Sequence, residues 1–377
     1  MFFFKTDNNY ARKTILTAPL DWGLGHATRC IPIIEELNKA GHKVIIAAEG
    51  PVKVLLQQEF PNNLFIPLFG YKVKYSRSGF WLPFKLLLQS PTFLFTVIRE
   101  HFWLKRTVKE YQVDMIISDN RFGLYHSIVP SVYITHQLVI KTGNYLSEWI
   151  AQRIHSWFIK KYNECWIPDL PAGQAGFEKG NTIAGVLSHP EIILPNTKYI
   201  GCLSRFEKQE NLGKEYQLLI LISGPEPQRT IFEKKLLEQI TNFIGKVLFV
   251  RGLPEQENNA SLLTNFNNII IKNHLPSDEL CIAIQQSEMV ICRSGYTSIM
   301  DLIKLKQKAI LVPTPGQSEQ QYLAGHLHKQ HMFYSVSQHK FQLNDALNDA
   351  MKFEYKIPDT DMNLYKKVVN DFINQHS

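Results

Sequence analysis

Met289-Val290-Ile291-Cys292-Arg293-Ser294-Gly295-Tyr296-Thr297-Ser298-Ile299-Met300-Asp301 decides the fold. A four-residue apolar run empties into a turn of small residues, and a helical pattern, Ser298–Leu305, follows. The same unit recurs on both sides. In the second half, strand runs Gln217–Ile222, Lys246–Val250, Asn268–Ile271, Met289–Cys292 and Ala309–Val312 alternate with helical patterns at Phe232–Phe243, Ser277–Gln285, Ser298–Leu305 and Gln320–Lys329. In the first half the strand runs are Thr14–Ala18, Val44–Ala48, Leu64–Pro67, Met115–Ser118, Ser131–Thr135 and Glu164–Pro168, closed by Lys198–Gly201. Alternation of this kind builds parallel sheets from βαβ units. The expected class is α/β, with two Rossmann-like doubly wound domains facing a cleft. They span 1–203 and 204–360, joined through the polar stretch Ser204–Lys214. A polar, proline-containing segment precedes a last helix, Asp361–Asn374, inside 361–377.

A chain of 377 residues suits two such domains. Its 41 basic against 34 acidic residues give a net charge of +7, which favours anionic partners without choosing among them. The five cysteines form no CxxC pair and read as free thiols of a reducing compartment. Phe2-Phe3-Phe4 is followed by charges, unlike a secretory signal. The longest uncharged apolar stretch, Leu86–Ile98, falls short of the ~20 residues of a membrane span. The expected placement is cytoplasmic, including the inner face of the membrane.

In open α/β sheets ligands bind at the carboxyl edge of the strands. After the first strand comes Asp21-Trp22-Gly23-Leu24-Gly25-His26. Gly23 and Gly25 allow close backbone approach, and His26 sits at a helix start where its neutral form is favoured, as a general base requires. The rival readings are a plain βα turn, or a dinucleotide loop that lacks its third glycine. Ser223 and Gly224 begin a strand–turn–helix loop with Arg229 beyond, a shape suited to pyrophosphate. Asp301 can accept both hydroxyls of a ribose, or else close a capping box with Ser298. Gln320 and Gln321 can read sugar hydroxyls or merely face solvent. Asp359-Thr360-Asp361 follows Pro358 ahead of a helix, so capping is preferred over metal binding.

Cys292-Arg293-Ser294-Gly295, Thr297, Asp301, Val312-Pro313 and Gln320-Gln321-Tyr322 resemble, in order and spacing, the donor-site signature of the MurG-type glycosyltransferases, glycosyltransferase family 28. Gly23-x-Gly25-His26 is similar to that family's N-terminal glycine loop. These enzymes transfer N-acetylglucosamine from a UDP-sugar to a lipid-linked acceptor. The resemblance implies a GT-B fold, inverting transfer, a UDP-sugar substrate without metal or other cofactor, and a final helix crossing back to the N-terminal domain. It assigns Asp301 to ribose, Gln320 and Gln321 to the donor sugar, Ser294 and Gly295 to the nucleotide, and Ser223 and Gly224 to pyrophosphate. His26 falls in the catalytic cleft as base, and Arg229 or Arg293 meets the departing diphosphate. Asp301 replaces the family's usual glutamate, Ala324 its common asparagine, and Ser223–Arg229 its glycine-serine loop.

Between Tyr71 and Arg106, basic residues Lys72, Lys74, Arg77, Lys85, Arg99, Lys105 and Arg106 interleave with aromatics against one acid, Glu100. This composition suits an anionic membrane surface carrying a lipid-linked acceptor, or two amphipathic helices with solvated basic faces. No nucleic-acid module is recognisable. His126 and His136 end central strands, as acceptor-cleft or structural residues. Two rivals remain: a nucleotide-sugar hydrolase or epimerase of the same fold, and a non-catalytic membrane-docked carbohydrate- or lipid-binding protein.

Overall fold

A computed structural model describes residues 12–71, 82–141, 145–173, 182–254 and 268–376. The first half runs β1 (Thr14–Pro19), α1 (Leu24–Lys39), β2 (Lys43–Ala47), α2 (Gly50–Glu59), β3 (Leu64–Ile66), α3 (Leu82–Tyr111), β4 (Met115–Asp119), β5 (Ser131–Ile134), α4 (Tyr145–Ile159), β6 (Glu164–Ile167) and β7 (Thr197–Tyr199). The second runs β8 (Tyr216–Leu221), α5 (Gln228–Ile240), β9 (Val247–Val250), β10 (Ile269–Lys272), α6 (Ser277–Gln285), β11 (Ser287–Cys292), α7 (Tyr296–Lys304), β12 (Ala309–Leu311), α8 (Ser318–Lys329), β13 (Tyr334–Ser335), α9 (Leu343–Lys352) and α10 (Leu364–Gln375).

Two parallel sheets result, seven strands in the order β3-β2-β1-β4-β5-β6-β7 and six in the order β10-β9-β8-β11-β12-β13. The central strands β4 and β5 are buried at every position, because helices cover both faces of a parallel sheet. That is why they read as unbroken apolar runs. In each sheet the order reverses between two central strands, β1 and β4 or β8 and β11. Loops diverge there and leave a crevice at the carboxyl edge.

α1 buries Ala27, Cys30, Ile31, Ile34 and Leu37 at helical spacing, and Gly41 ends it at a φ of 83° that favours glycine. α7 starts at Tyr296, so Ser298 lies inside the helix and the capping-box alternative for Asp301 is ruled out. The cysteines are free and buried. The stretch read as a polar connection before the last helix holds β13 and α9. α9 buries only Leu343, Ala346 and Ala350, and two alanines make a faint apolar stripe.

α9 packs with Phe341 in the core of the second sheet, whereas α10 belongs to the first. Tyr365, Val369, Phe372 and Ile373 of α10 are buried, Phe372 stands edge-on to Trp166 at 5.7 Å, and Asn370 donates to Glu36 of α1 at 3.1 Å. Asp361 accepts the Asn363 amide at 2.8 Å just ahead of this helix, a local turn contact. Lys72, Lys74, Arg77, Phe80 and Trp81 lie outside the described residues. No helix among the described residues is long and apolar enough to cross a membrane.

Phe372→Ala is expected to remove about 3–5 kcal/mol from unfolding measured in urea, since it empties the main contact between the final helix and Trp166.

Candidate active site

The carboxyl ends of β1, β4, β8, β11 and β12 face one seam. The N-termini of α1, α5, α7 and α8 follow these strand ends, each with a partial positive charge, although in α5 the Arg229 and Thr230 amides are already taken by the Pro225 carbonyl and Glu226. The two domains already touch across the seam. Thr297 donates its hydroxyl to the Gly25 carbonyl at 3.0 Å, and a Cβ on Gly25 would come within 3.3 Å of that hydroxyl oxygen. Tyr296 donates to the Pro168 carbonyl at 2.7 Å, and the Val186 amide donates to Tyr322 at 3.0 Å.

His26, in the first turn of α1, is the partly exposed member of its contact with the buried Asp119 and Arg29. Its Nδ1 lies 3.0 Å from Asp119 Oδ2 at the end of β4. One helical turn on, Arg29 donates through Nε to both Asp119 oxygens at 2.9 Å, and its Nη2 also meets Oδ1. Asp119 is fully buried. Burial alone would raise its carboxyl, but Arg29 and His26 overcome that and hold it below the usual aspartate value. Burial, then Arg29, lower the His26 pKa, against a smaller upward pull from Asp119. A neutral imidazole oriented by a carboxylate results, the arrangement a general base needs. Arg29 Nη1 reaches His136 Nδ1 at 3.0 Å. That ring stacks on Tyr296 with centroids 4.2 Å apart and meets Glu319 Oε1 through Nε2 at 2.7 Å.

On the C-terminal side Asp301 is 6% exposed, and burial pushes its pKa up to about 6 against the pull of Arg205. Its Oδ1 accepts the Ser204 hydroxyl at 2.6 Å. A hydroxyl from the interdomain linker thus occupies the carboxylate oxygen that a ribose hydroxyl would use. Arg205 lies beside it, and its Nε is buried without a hydrogen-bond partner. Ser223 and Gly224 are exposed at the end of β8, Gly224 with a φ of 106°. Ser294 donates to the Gln320 carbonyl at 2.8 Å and Gln320 Oε1 accepts the Thr314 amide at 2.9 Å, so these two hold the turns together. Gln321 is exposed in the first turn of α8, and Gly23 is the N-cap of α1 with a φ of 122°.

Both arginines expected at the diphosphate have other work. Arg293 is buried against the Phe232 ring at 4.3 Å and donates to the Val312 and Gln228 carbonyls at 3.3 and 3.0 Å. Arg229 pairs with Glu233 at 2.6 Å, beside a cavity of about 320 Å³ that Arg251 also lines. These groups brace the turn after β8. His126 is likewise structural, accepting the Ile128 and Val129 amides. Glu100 is buried against Tyr71 and Arg121 and does not belong to the surface.

From sequence, Glu319 and Arg29 fall inside the site motifs without a role, and Asp119 and Arg205 fall outside them. An acid ending the apolar run Met115–Ser118 was a usable signal, because that end of a central strand faces the crevice. Arg205, inside a segment that looked like linker, carried none.

Residues 228–375 match the glycosyltransferase family 28 C-terminal domain. This stretch of the second half is similar to that family's C-terminal domain. The chain is 21% identical over 299 residues to the UDP-N-acetylglucosamine–N-acetylmuramyl-(pentapeptide) pyrophosphoryl-undecaprenol N-acetylglucosamine transferase of Natranaerobius thermophilus, covering 78% of this chain and 77% of that one. It is 24% identical to a glycosyltransferase of Methanosarcina acetivorans over 79% of each. Among solved structures, the glycotransferase of kitacinnamycin aligns with a TM-score of 0.60 at 13% identity over 97% of this chain and 96% of that chain. Acinetobacter baumannii MurG aligns with a TM-score of 0.51 at 12% identity over 97% and 94%. This glycosyltransferase therefore has the GT-B fold.

Arg293→Met is expected to lower unfolding free energy by about 1–3 kcal/mol without any ligand, because two carbonyls lose their donor. An unchanged urea midpoint would return Arg293 to a ligand-only role.

Proposed function

We propose that this glycosyltransferase moves a hexose or N-acetylhexosamine from a UDP-sugar to an acceptor hydroxyl with inversion at the anomeric carbon. The observation that carries the reading is the His26–Asp119 contact at the seam between the domains. With its Nδ1 proton held by Asp119, His26 presents a bare Nε2 to the acceptor. As the acceptor oxygen bonds to the anomeric carbon from the side opposite the diphosphate, its proton passes to Nε2 and the bond to the diphosphate breaks. The electron pair leaves with UDP, and the charge growing there meets preorganised amides at the starts of α5 and α7. Asp301 takes the ribose hydroxyls once Ser204 yields, with the guanidinium of Arg205 beside it. Gln321 and the Gln320 segment face the sugar. No metal enters this scheme, so turnover is expected to survive EDTA.

The transferase relatives named above act on an undecaprenol-linked substrate, and this chain carries a surface suited to such an acceptor. α3 exposes Leu94, Phe95, Ile98 and Phe102, and α4 exposes Leu146, Trp149, Ile150, Ile154 and Trp157. Val97 and Phe158 of the two helices share one small core, which makes the exposed faces neighbours. Arg153 and Lys161 lie over Trp149 and Trp157 at 4.6 and 3.9 Å, cations at the edge of an apolar patch. Such a face suits shallow insertion into an anionic leaflet.

UDP and UDP-sugars are expected to raise the melting temperature, Asp301→Ala to abolish that shift, and His26→Ala to keep it while losing about 10²–10⁴-fold in turnover. Because the working form of His26 is neutral and its pKa is depressed, the acid limb of the rate profile is expected below the ordinary histidine range, with a plateau by pH 7. Full turnover in His26→Ala defeats the base assignment, and stoichiometric sugar release without acceptor favours hydrolysis. For the membrane face, Phe95→Glu with Trp157→Glu is expected to abolish co-sedimentation with phosphatidylglycerol vesicles and to spare the UDP-induced shift. Retained sedimentation removes that surface from the proposal.

A further inference from the structure

We infer that Glu319 is a positioning residue through which domain closure sets the protonated nitrogen of the catalytic histidine. The inference rests on His26 being the base. One feature of the cluster demands a selector: His26 Nδ1 lies 3.0 Å from an acceptor, Asp119 Oδ2, and 2.8 Å from a donor, Arg29 Nη2. It cannot satisfy both. With hydrogen on Nδ1 the ring bonds Asp119 and leaves Nε2 bare for the acceptor substrate. With Nδ1 bare it accepts from Arg29, and Nε2 carries the hydrogen and is useless as a base.

Which of the two prevails depends on where Arg29 spends its other hydrogens. Nη1 is directed 3.0 Å onto His136 Nδ1, a contact that exists only while that nitrogen is bare. His136 must then carry its hydrogen on Nε2, and Glu319 Oε1 accepts it at 2.7 Å. Glu319 belongs to α8 of the C-terminal domain, whereas His136, Arg29 and His26 belong to the N-terminal one. The carboxylate arrives only when the domains close, in the turn beside Gln320 and Gln321. When it withdraws, His136 is free to place its hydrogen on Nδ1 facing Arg29. Nη1 then has no acceptor while Nε stays on Asp119, and the guanidinium pivots about that bond so that Nη2 donates to His26 Nδ1, 2.8 Å away, in place of Asp119 Oδ1. The base is thus armed on closure and held idle when the seam opens.

Long-range proton–nitrogen NMR correlation on the full-length chain distinguishes the two neutral forms of each histidine, with signals assigned from His26→Asn and His136→Asn. The wild type is expected to hold the Nδ1–H form at His26 and the Nε2–H form at His136. Glu319→Ala is expected to shift both, and with the UDP-sugar that raises the melting temperature most, to cut kcat about tenfold while donor KM stays within about twofold. Glu319→Gln, whose amide oxygen still accepts, is expected to keep the wild-type pattern. Wild-type tautomers in Glu319→Ala overturn the inference, as does a Gln variant that shifts with the Ala one, since charge and not acceptance would then act. An active His26→Ala would instead sink the base reading beneath it.

Discussion

A carboxylate with no exposed surface at the end of a central strand must be matched by donors, and Asp119 organises the site around that requirement. Removing one partner of such a buried pair costs about 3–5 kcal/mol, so Arg29 and Asp119 are fixed together. Their fixed geometry places His26 one turn earlier on the same helix, where the ring can reach both the carboxylate and the seam. The register of the first sheet sets this up, with Pro19 of β1 opposite Asp119 of β4. The glycine loop and the acid therefore meet at the sheet's reversal point.

The contacts across the seam are single hydrogen bonds and ring stacks, spread over Gly25, Pro168, His136 and Val186 on one side and Thr297, Tyr296, Glu319 and Tyr322 on the other. Single hydrogen bonds of this kind contribute about 1 kcal/mol each. α10 supplies the permanent join, burying four apolar side chains against the N-terminal domain. A strong tether away from the site and weak contacts within it let the domains separate and return in register.

The two ends of the donor site differ in kind. Around Arg293 and Arg229, cations are spent on carbonyls and on Glu233, which braces the turn after β8. Around Asp301, a desolvated acid accepts from Ser204, and Arg205 beside it keeps one buried nitrogen without a partner. In the proposed reaction a braced turn suits the phosphates, which need fixed dipoles, and the acid of Asp301 suits a nucleoside, which brings its own hydroxyls.

The alternation of apolar strands and amphipathic helices was legible in the sequence, because covering both faces of a parallel sheet leaves little choice of residue along a strand. Hence the seven- and six-stranded sheets, the turn at Cys292–Gly295 and the position of His26 were accessible from the residues alone, apart from β13 and the alanine-striped α9. The partners of those residues were not. Whether Arg293 meets phosphate or two carbonyls, whether Glu100 lies on the surface or beneath Tyr71, and whether His136 touches Glu319 depend on side chains 19 to 183 positions apart. Periodicity reports which face of an element is buried. Only the packing of one element on another decides what each charged group meets there, because a buried charge takes its partner from wherever the fold brings a complementary atom within about 3 Å.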